Sequence, residues 1–119
     1  MTFQGKEFCD LAYRIYQGIS SSTDDSEAEY RTVINRAYYG VFLTAREAAN
    51  NNFTTGPGSH KEVQEFYKNR GKEGYFIFNS LTDLFAERKA ADYDINVKIS
   101  PTKAKSVLTR SKKIIDSLV

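Results

Sequence analysis

The stretch RTVINRAYYGVFLTAREAA, residues 31 to 49, sets the architecture. Its apolar residues Ile34, Ala37, Tyr38, Val41, Phe42 and Ala45 recur at steps of three and four, drawing a single stripe on one face of an α-helix. Asp24 and Asp25 ahead of it supply an N-cap and a negatively charged first turn. The turn-favouring run Asn50, Asn51 and Asn52 ends it, so this helix is expected to be the longest in the chain. Gly40 interrupts an otherwise good helix former at a cost of about 1 kcal/mol relative to alanine. Its presence points to another helix or chain approaching closely there.

The same periodicity extends outward in both directions. Phe8, Leu11, Ala12, Ile15 and Ile19 form a stripe on a first helix, expected from near Thr2 to the run Gly18–Thr23. After the long Asn/Gly/Pro loop, which is expected to be mobile, Ser59 and Glu62 stand at capping-box spacing. They predict a short third helix that buries Val63, Phe66 and Tyr67. Gly71 and Gly74 interrupt it. Ser80 and Asp83 repeat the spacing and predict a fourth helix, with Leu81, Leu84 and Phe85 inward. Residues 93–100 read as an extended connection without a strand partner. Ser100-Pro101 then opens a last helix with the stripe Ala104, Val107, Leu108, Ser111, Ile115 and Leu118. The expected fold is all-α: an up-and-down antiparallel bundle of four main helices plus a short extra one, in a single domain over residues 1–119.

Composition narrows the chemistry. Cys9 is the only cysteine and His60 the only histidine of the 119 residues, which excludes an intramolecular disulfide and a Cys/His zinc cluster. No metal or other cofactor is expected. Cys9, beside the apolar stripe of the first helix, reads as a small buried hydrophobe. No apolar run approaches membrane-spanning or signal-peptide length, so the expectation is a soluble cytoplasmic protein with no membrane contact. The formal charge of +2 is too weak to mark the whole surface as a nucleic-acid binder. The closing segment, however, carries Lys103, Lys105, Arg110, Lys112 and Lys113 against Asp116 alone. That basic face is either a solvated helix surface or a phosphate contact.

Two groups of residues carry possible chemistry. On the second helix Asn35 and Tyr39 lie four apart, with Arg36 beside them, placing polar groups and an aromatic next to the apolar stripe. These are either wall residues or part of a site. In FAERKAADYDI, residues 85 to 95, Arg88 and Asp92 lie one helical turn apart and Tyr93 follows. A guanidinium with a carboxylate and a phenol at a helix end forms either a surface ion pair or a seat for a phosphate or ribose.

RAYYGVFLTAREA, GSHKEVQEFY, NRGKEG and LFAERKAADYDI occur in an order and spacing that resemble the HEPN (higher eukaryote and prokaryote nucleotide-binding) family, in its small stand-alone prokaryotic branch. The resemblance runs over roughly residues 5 to 118. It implies a helical bundle that forms a homodimer with the fourth-helix motif near the dimer cleft. Many such proteins are metal-independent RNases or RNase-like toxins, encoded beside a minimal nucleotidyltransferase that neutralises them. They use an arginine followed after four to six residues by a histidine. Arg88 takes the arginine position, and Tyr93 stands where the histidine is expected. Histidine titrates at about 6.5 and tyrosine at about 10, so tyrosine suits proton transfer to or from ribose oxygens poorly.

The expected function is therefore an RNA- or nucleotide-binding or partner-docking module, one half of a toxin–antitoxin or defence pair with a minimal nucleotidyltransferase. Arg36, Tyr39, Arg88, Asp92 and Tyr93 would form its binding residues. The alternatives are a metal-independent endoribonuclease using Arg88 with Tyr93 or His60 as proton carriers, and a structural accessory subunit of a larger assembly. The balance leans away from an enzyme.

Overall fold

A computed structural model describes residues 3–19 and 26–118. It contains five helices: α1 (Lys6–Gly18), α2 (Glu27–Ala49), α3 (Ser59–Lys68), α4 (Gly71–Tyr93) and α5 (Pro101–Leu118). Among the described residues there is no strand, and the chain is an all-α bundle. The cap expected at Asp24 and Asp25 lies outside the described residues.

α2 is the axis of the bundle and packs against all four other helices. Its predicted stripe is the core: Ile34, Ala37, Tyr38, Val41 and Ala45 are completely shielded from solvent and Phe42 is buried, and Val33, outside the predicted stripe, joins them. Burying each large apolar side chain of this row contributes about 1.5–3 kcal/mol. α1 and α5 meet it with Cys9, Ala12, Ala104, Val107, Leu108, Ile114 and Ile115, all buried. Tyr67 of α3 donates its hydroxyl to the Ala45 carbonyl at 2.6 Å, fixing the short helix to α2. The close approach anticipated at Gly40 is made by α1: a Cβ placed there would stand 2.9 Å from both the Cβ and the backbone nitrogen of Cys9.

Several expected boundaries move, each for a local reason. α1 begins at Lys6 rather than near Thr2, because the Glu7 carboxylate accepts the Gln4 amide at 2.7 Å and closes a turn ahead of the helix. α4 begins at Gly71 and not at Ser80, so with 23 residues it equals α2 in length. Gly71, at φ 75°, makes the turn out of α3 that a residue with a side chain rarely adopts. Gly74 lies inside α4 because its bare backbone packs on the end of α3, where a Cβ would meet the Tyr67 carbonyl at 2.5 Å.

Neither expected capping box forms as drawn. Ser80 sits mid-helix. Ser59 donates to the Gly56 carbonyl at 2.8 Å, while Glu62 accepts both the amide and the hydroxyl of Thr54 at 2.8 Å. The loop expected to be mobile is thereby pinned, and Arg46 reinforces it through the carbonyls of Phe53 and Thr54, both at 3.1 Å. The start of α5 is as expected: Ser100 Oγ accepts the Lys103 amide at 3.1 Å, with Pro101 in first position.

Candidate functional site

Arg31, Asn35 and Tyr39 follow one another at four-residue steps along α2, so they form one row, and that row faces the last turns of α4. Asn35 donates to Asp92 Oδ2 at 2.9 Å, and the same oxygen lies 2.9 Å from Arg88 Nε. Arg88 Nε is shielded from solvent yet not aligned for a hydrogen bond, so its contact with Asp92 is one of charge at close range. Arg88 Nη2 donates to the Tyr39 hydroxyl at 3.1 Å. The guanidinium carries five N–H donors, so these contacts leave donors for an incoming anion.

Around that pair the aromatic rings and cations alternate. The Arg88 guanidinium lies 5.3 Å from the Tyr39 ring centre and 5.8 Å from that of Tyr93. Arg36 approaches Tyr39 at 6.0 Å and Phe8 at 5.4 Å, and makes no hydrogen bond or ion pair among the described residues. Tyr93 is 72% exposed, presenting an aromatic surface at the end of α4. All five predicted binding residues, Arg36, Tyr39, Arg88, Asp92 and Tyr93, thus join in one connected cluster spanning α2 and α4.

His60, far from Arg88 in sequence, comes to the same neighbourhood. Its ring stacks on Phe42 with centres 4.3 Å apart and on Phe85 with centres 4.7 Å apart. Its Nδ1 lies 2.6 Å from the Tyr38 hydroxyl. Burial pushes the imidazole below its ordinary pKa, and the charge of Arg88 adds to this; burial holds the Tyr38 phenol well above its ordinary value. At neutral pH the pair is therefore an uncharged imidazole held by an uncharged phenol. With the phenol donating to Nδ1 the imidazole proton sits on Nε2; with Nδ1–H donating to the phenol oxygen Nε2 is left as a free acceptor.

The lowered value sets a pH dependence. The folded state favours neutral His60, so its contribution to stability is complete above about pH 6.5 and is lost as pH falls through the lowered folded-state value. His60 is the only histidine, and no other side chain has an ordinary pKa in this window. Thermal melts are expected to show Tm falling between about pH 7.5 and about pH 5.5. The variant His60→Phe, which keeps the stack, should show a flatter profile over that interval; an equal slope in both proteins would contradict the assignment.

Sequence reasoning missed three contributors. Tyr38, read only as a residue of the apolar stripe, holds His60. Phe85, read only as an inward residue of α4, forms one side of the histidine stack. Arg31 donates to the carbonyls of Ala91 at 2.9 Å and Asp94 at 3.1 Å, and to that of Val97. It thereby holds the end of α4 that carries Asp92 and Tyr93. The four-residue row of Arg31, Asn35 and Tyr39 was the available signal for it.

No protein-family model matches the chain, and no solved structure matches it. It is 31% identical over 113 residues to an uncharacterized protein of Methanocaldococcus jannaschii, a match covering 81% of this chain and 64% of that relative. The chain therefore spans less than two-thirds of the relative's length. Among the described residues no helix is long and apolar enough to cross a membrane, and no group of three or more His, Cys, Asp or Glu is placed to hold a metal ion.

Proposed function

We propose that the protein is an RNA- or nucleotide-binding module of HEPN type, acting through the cluster of Arg36, Tyr39, Arg88, Asp92 and Tyr93. The observation that carries this reading is Arg88 set between the rings of Tyr39 and Tyr93, with Tyr93 72% exposed. A guanidinium offers paired donors to phosphate oxygens, and an exposed ring beside it offers a stacking surface for a base. Arg36, without an ion-pair partner among the described residues, supplies a second cation. Asp92 tempers the positive charge and orients Arg88; a ribose hydroxyl is the group that fits its free acceptor capacity. Ile95, 85% exposed, and Val97, 44% exposed, lie beside Tyr93. That apolar edge supports homodimer formation next to the site. A minimal nucleotidyltransferase as the cognate partner, in a toxin–antitoxin or defence pair, rests on the sequence resemblance.

The test is fluorescence anisotropy with a labelled single-stranded RNA and with a labelled nucleotide at low salt. Arg88→Ala is expected to weaken binding at least about tenfold, equivalent to about 1.4 kcal/mol. Tyr93→Ala is expected to cost about 1–3 kcal/mol if the ring stacks a base. Absence of binding by the unaltered chain, or equal affinity in both variants, would remove the reading.

A second reading is favoured by one observation: a neutral imidazole, His60, shares the aromatic cluster with Arg88. In a metal-independent endoribonuclease that imidazole, with Nδ1–H donating to the Tyr38 oxygen and Nε2 left unprotonated, would take the ribose 2′-hydroxyl proton on Nε2, and Arg88 would stabilise the charge that develops on the phosphorus oxygens. RNA fragments formed in the presence of a chelator, and lost in both Arg88→Ala and His60→Ala, would establish it. Fragments that persist in Arg88→Ala would exclude it.

A further inference from the structure

The basic face of the last helix divides in two. Lys103 and Arg110 both turn to Glu87 of α4, at 2.8 Å and 3.3 Å. Lys105, Lys112 and Lys113 look the other way, toward α1, and make no ion pair among the described residues. They border a furrow of about 1160 Å³ whose opposite rim carries Lys6 and Arg14. Five cations thus line it against two carboxylates, Asp10 and Asp116. None of the residues proposed above to bind RNA lines this furrow.

The furrow follows from the packing. α1 and α5 each pack extensively on α2 but far less on one another, so the surface of α2 shows between them at Tyr30. The floor is apolar, made by Cys9, Tyr16, Tyr30, Leu108 and Ile115, and Tyr13 stands on the α1 side 53% exposed. Two parallel ridges of side chains over an apolar floor are what a further helix fills in a bundle, its apolar residues at i, i+3, i+4 and i+7 directed downward.

The geometry points to this furrow as a docking site for an acidic amphipathic helix of a partner protein. The charge excess of the rims selects the occupant. Carboxylates flanking the apolar stripe of such a helix would meet lysines on both sides, whereas a basic or neutral helix would leave those lysines facing like charge or nothing. A nucleic-acid strand would set phosphates against the rims but leave Cys9, Leu108 and Ile115, the buried aliphatic part of the floor, uncovered.

The test uses the intact chain, labelled with nitrogen-15, in a two-dimensional NMR titration. The probe is a synthetic helical peptide with leucines at i, i+3, i+4 and i+7 and glutamates elsewhere. The controls are the same peptide with lysines in place of the glutamates, vesicles of phosphatidylglycerol, and a single-stranded RNA. The acidic peptide is expected to shift amides of Tyr13, Tyr16, Lys105 and Lys112, with an affinity that falls as salt is raised. The double substitution Lys105→Glu, Lys112→Glu should weaken it at least about tenfold. Tyr13→Ala, at an exposed position on the α1 side, tests the apolar contact without altering charge and should also weaken it. No shift at millimolar peptide would overturn the proposal. So would equal binding of the basic peptide, shifts confined to the Arg88 cluster, or furrow shifts caused by vesicles or RNA and not by the peptide.

Discussion

Replacing Arg31 with alanine is expected to destabilise the fold by about 3 kcal/mol, the scale of losing several charge-assisted hydrogen bonds made by one side chain. The last carbonyls of any helix have no partner within it, and the negative end of its dipole attracts a cation. α4 has no basic residue in its own last turn. Arg31 of α2 supplies that cation from outside, with Nη1 donating to Ala90, Ala91 and Asp94 carbonyls at 3.3, 2.9 and 3.1 Å and Nη2 to Val97. Glu27 Oε2 accepts Nε and Nη2 at 3.0 and 2.9 Å, which fixes the fork in place. Thermal melts should show Tm lowered by roughly 10 °C for a domain of this size. Hydrogen exchange should accelerate at the Asp94 and Val97 amides, which close the turn after α4. Arg31→Lys should fall between, because one ammonium keeps the charge but cannot span four carbonyls. A loss below about 0.5 kcal/mol, the range of an ordinary surface change, would show that Arg31 does not hold this helix end.

That helix end also shows where sequence reading works and where it stops. The stripe of α2 was legible because burial on one face of a helix leaves a three-and-four residue pattern, and Ile34, Ala37, Tyr38, Val41, Phe42 and Ala45 are all buried as the pattern required. The cluster in residues 85–95 was legible as a group, since Arg88 and Asp92 are one turn apart and do pair. What faces it from α2 and α3 was not legible in the local pattern; only the family resemblance set Arg36, Tyr39 and His60 beside Arg88. Asn35, Tyr39 and Arg31 reach α4 across 57, 49 and 60 positions of chain, and His60 reaches Tyr38 across 22. A local pattern gives the face on which a side chain lies but not the element facing it. The start of α4 failed for a related reason. Gly71 and Gly74 look alike in sequence, yet one makes a turn with φ 75° and the other is a helical contact against Tyr67. Only the tertiary neighbour distinguishes a glycine that breaks a helix from one that lets another chain segment come near.

Gly40 is the second kind, and Gly40→Leu is expected to cost about 3 kcal/mol or more, at the upper end for overpacking in a filled core. The residue is buried at the middle of α2, and the atoms a Cβ would meet are the Cβ and backbone nitrogen of Cys9, both at 2.9 Å, with Cys9 Cα at 3.3 Å. Backbone cannot rotate out of the way as a side-chain tip can, so relief requires α1 to move off α2, the most extensive helix–helix contact in the bundle. Gly40→Ala separates this from helix propensity. Alanine gains about 1 kcal/mol within a helix, yet here a net loss of stability is expected because the contact outweighs that gain. Gly18→Ala is the matched control: nothing lies within 4 Å of a Cβ at the end of α1, so it should leave stability unchanged or raise it by a few tenths to about 1 kcal/mol. The sole cysteine reports the mechanism. Burial raises the Cys9 thiol to about 11 from an ordinary 9.0, and displacement of α1 would return it toward the ordinary value, so that a thiol reagent reacts faster with Gly40→Ala than with the unaltered chain. Equal reactivity and equal stability in the two Gly→Ala variants would mean that α1 does not rest on Gly40.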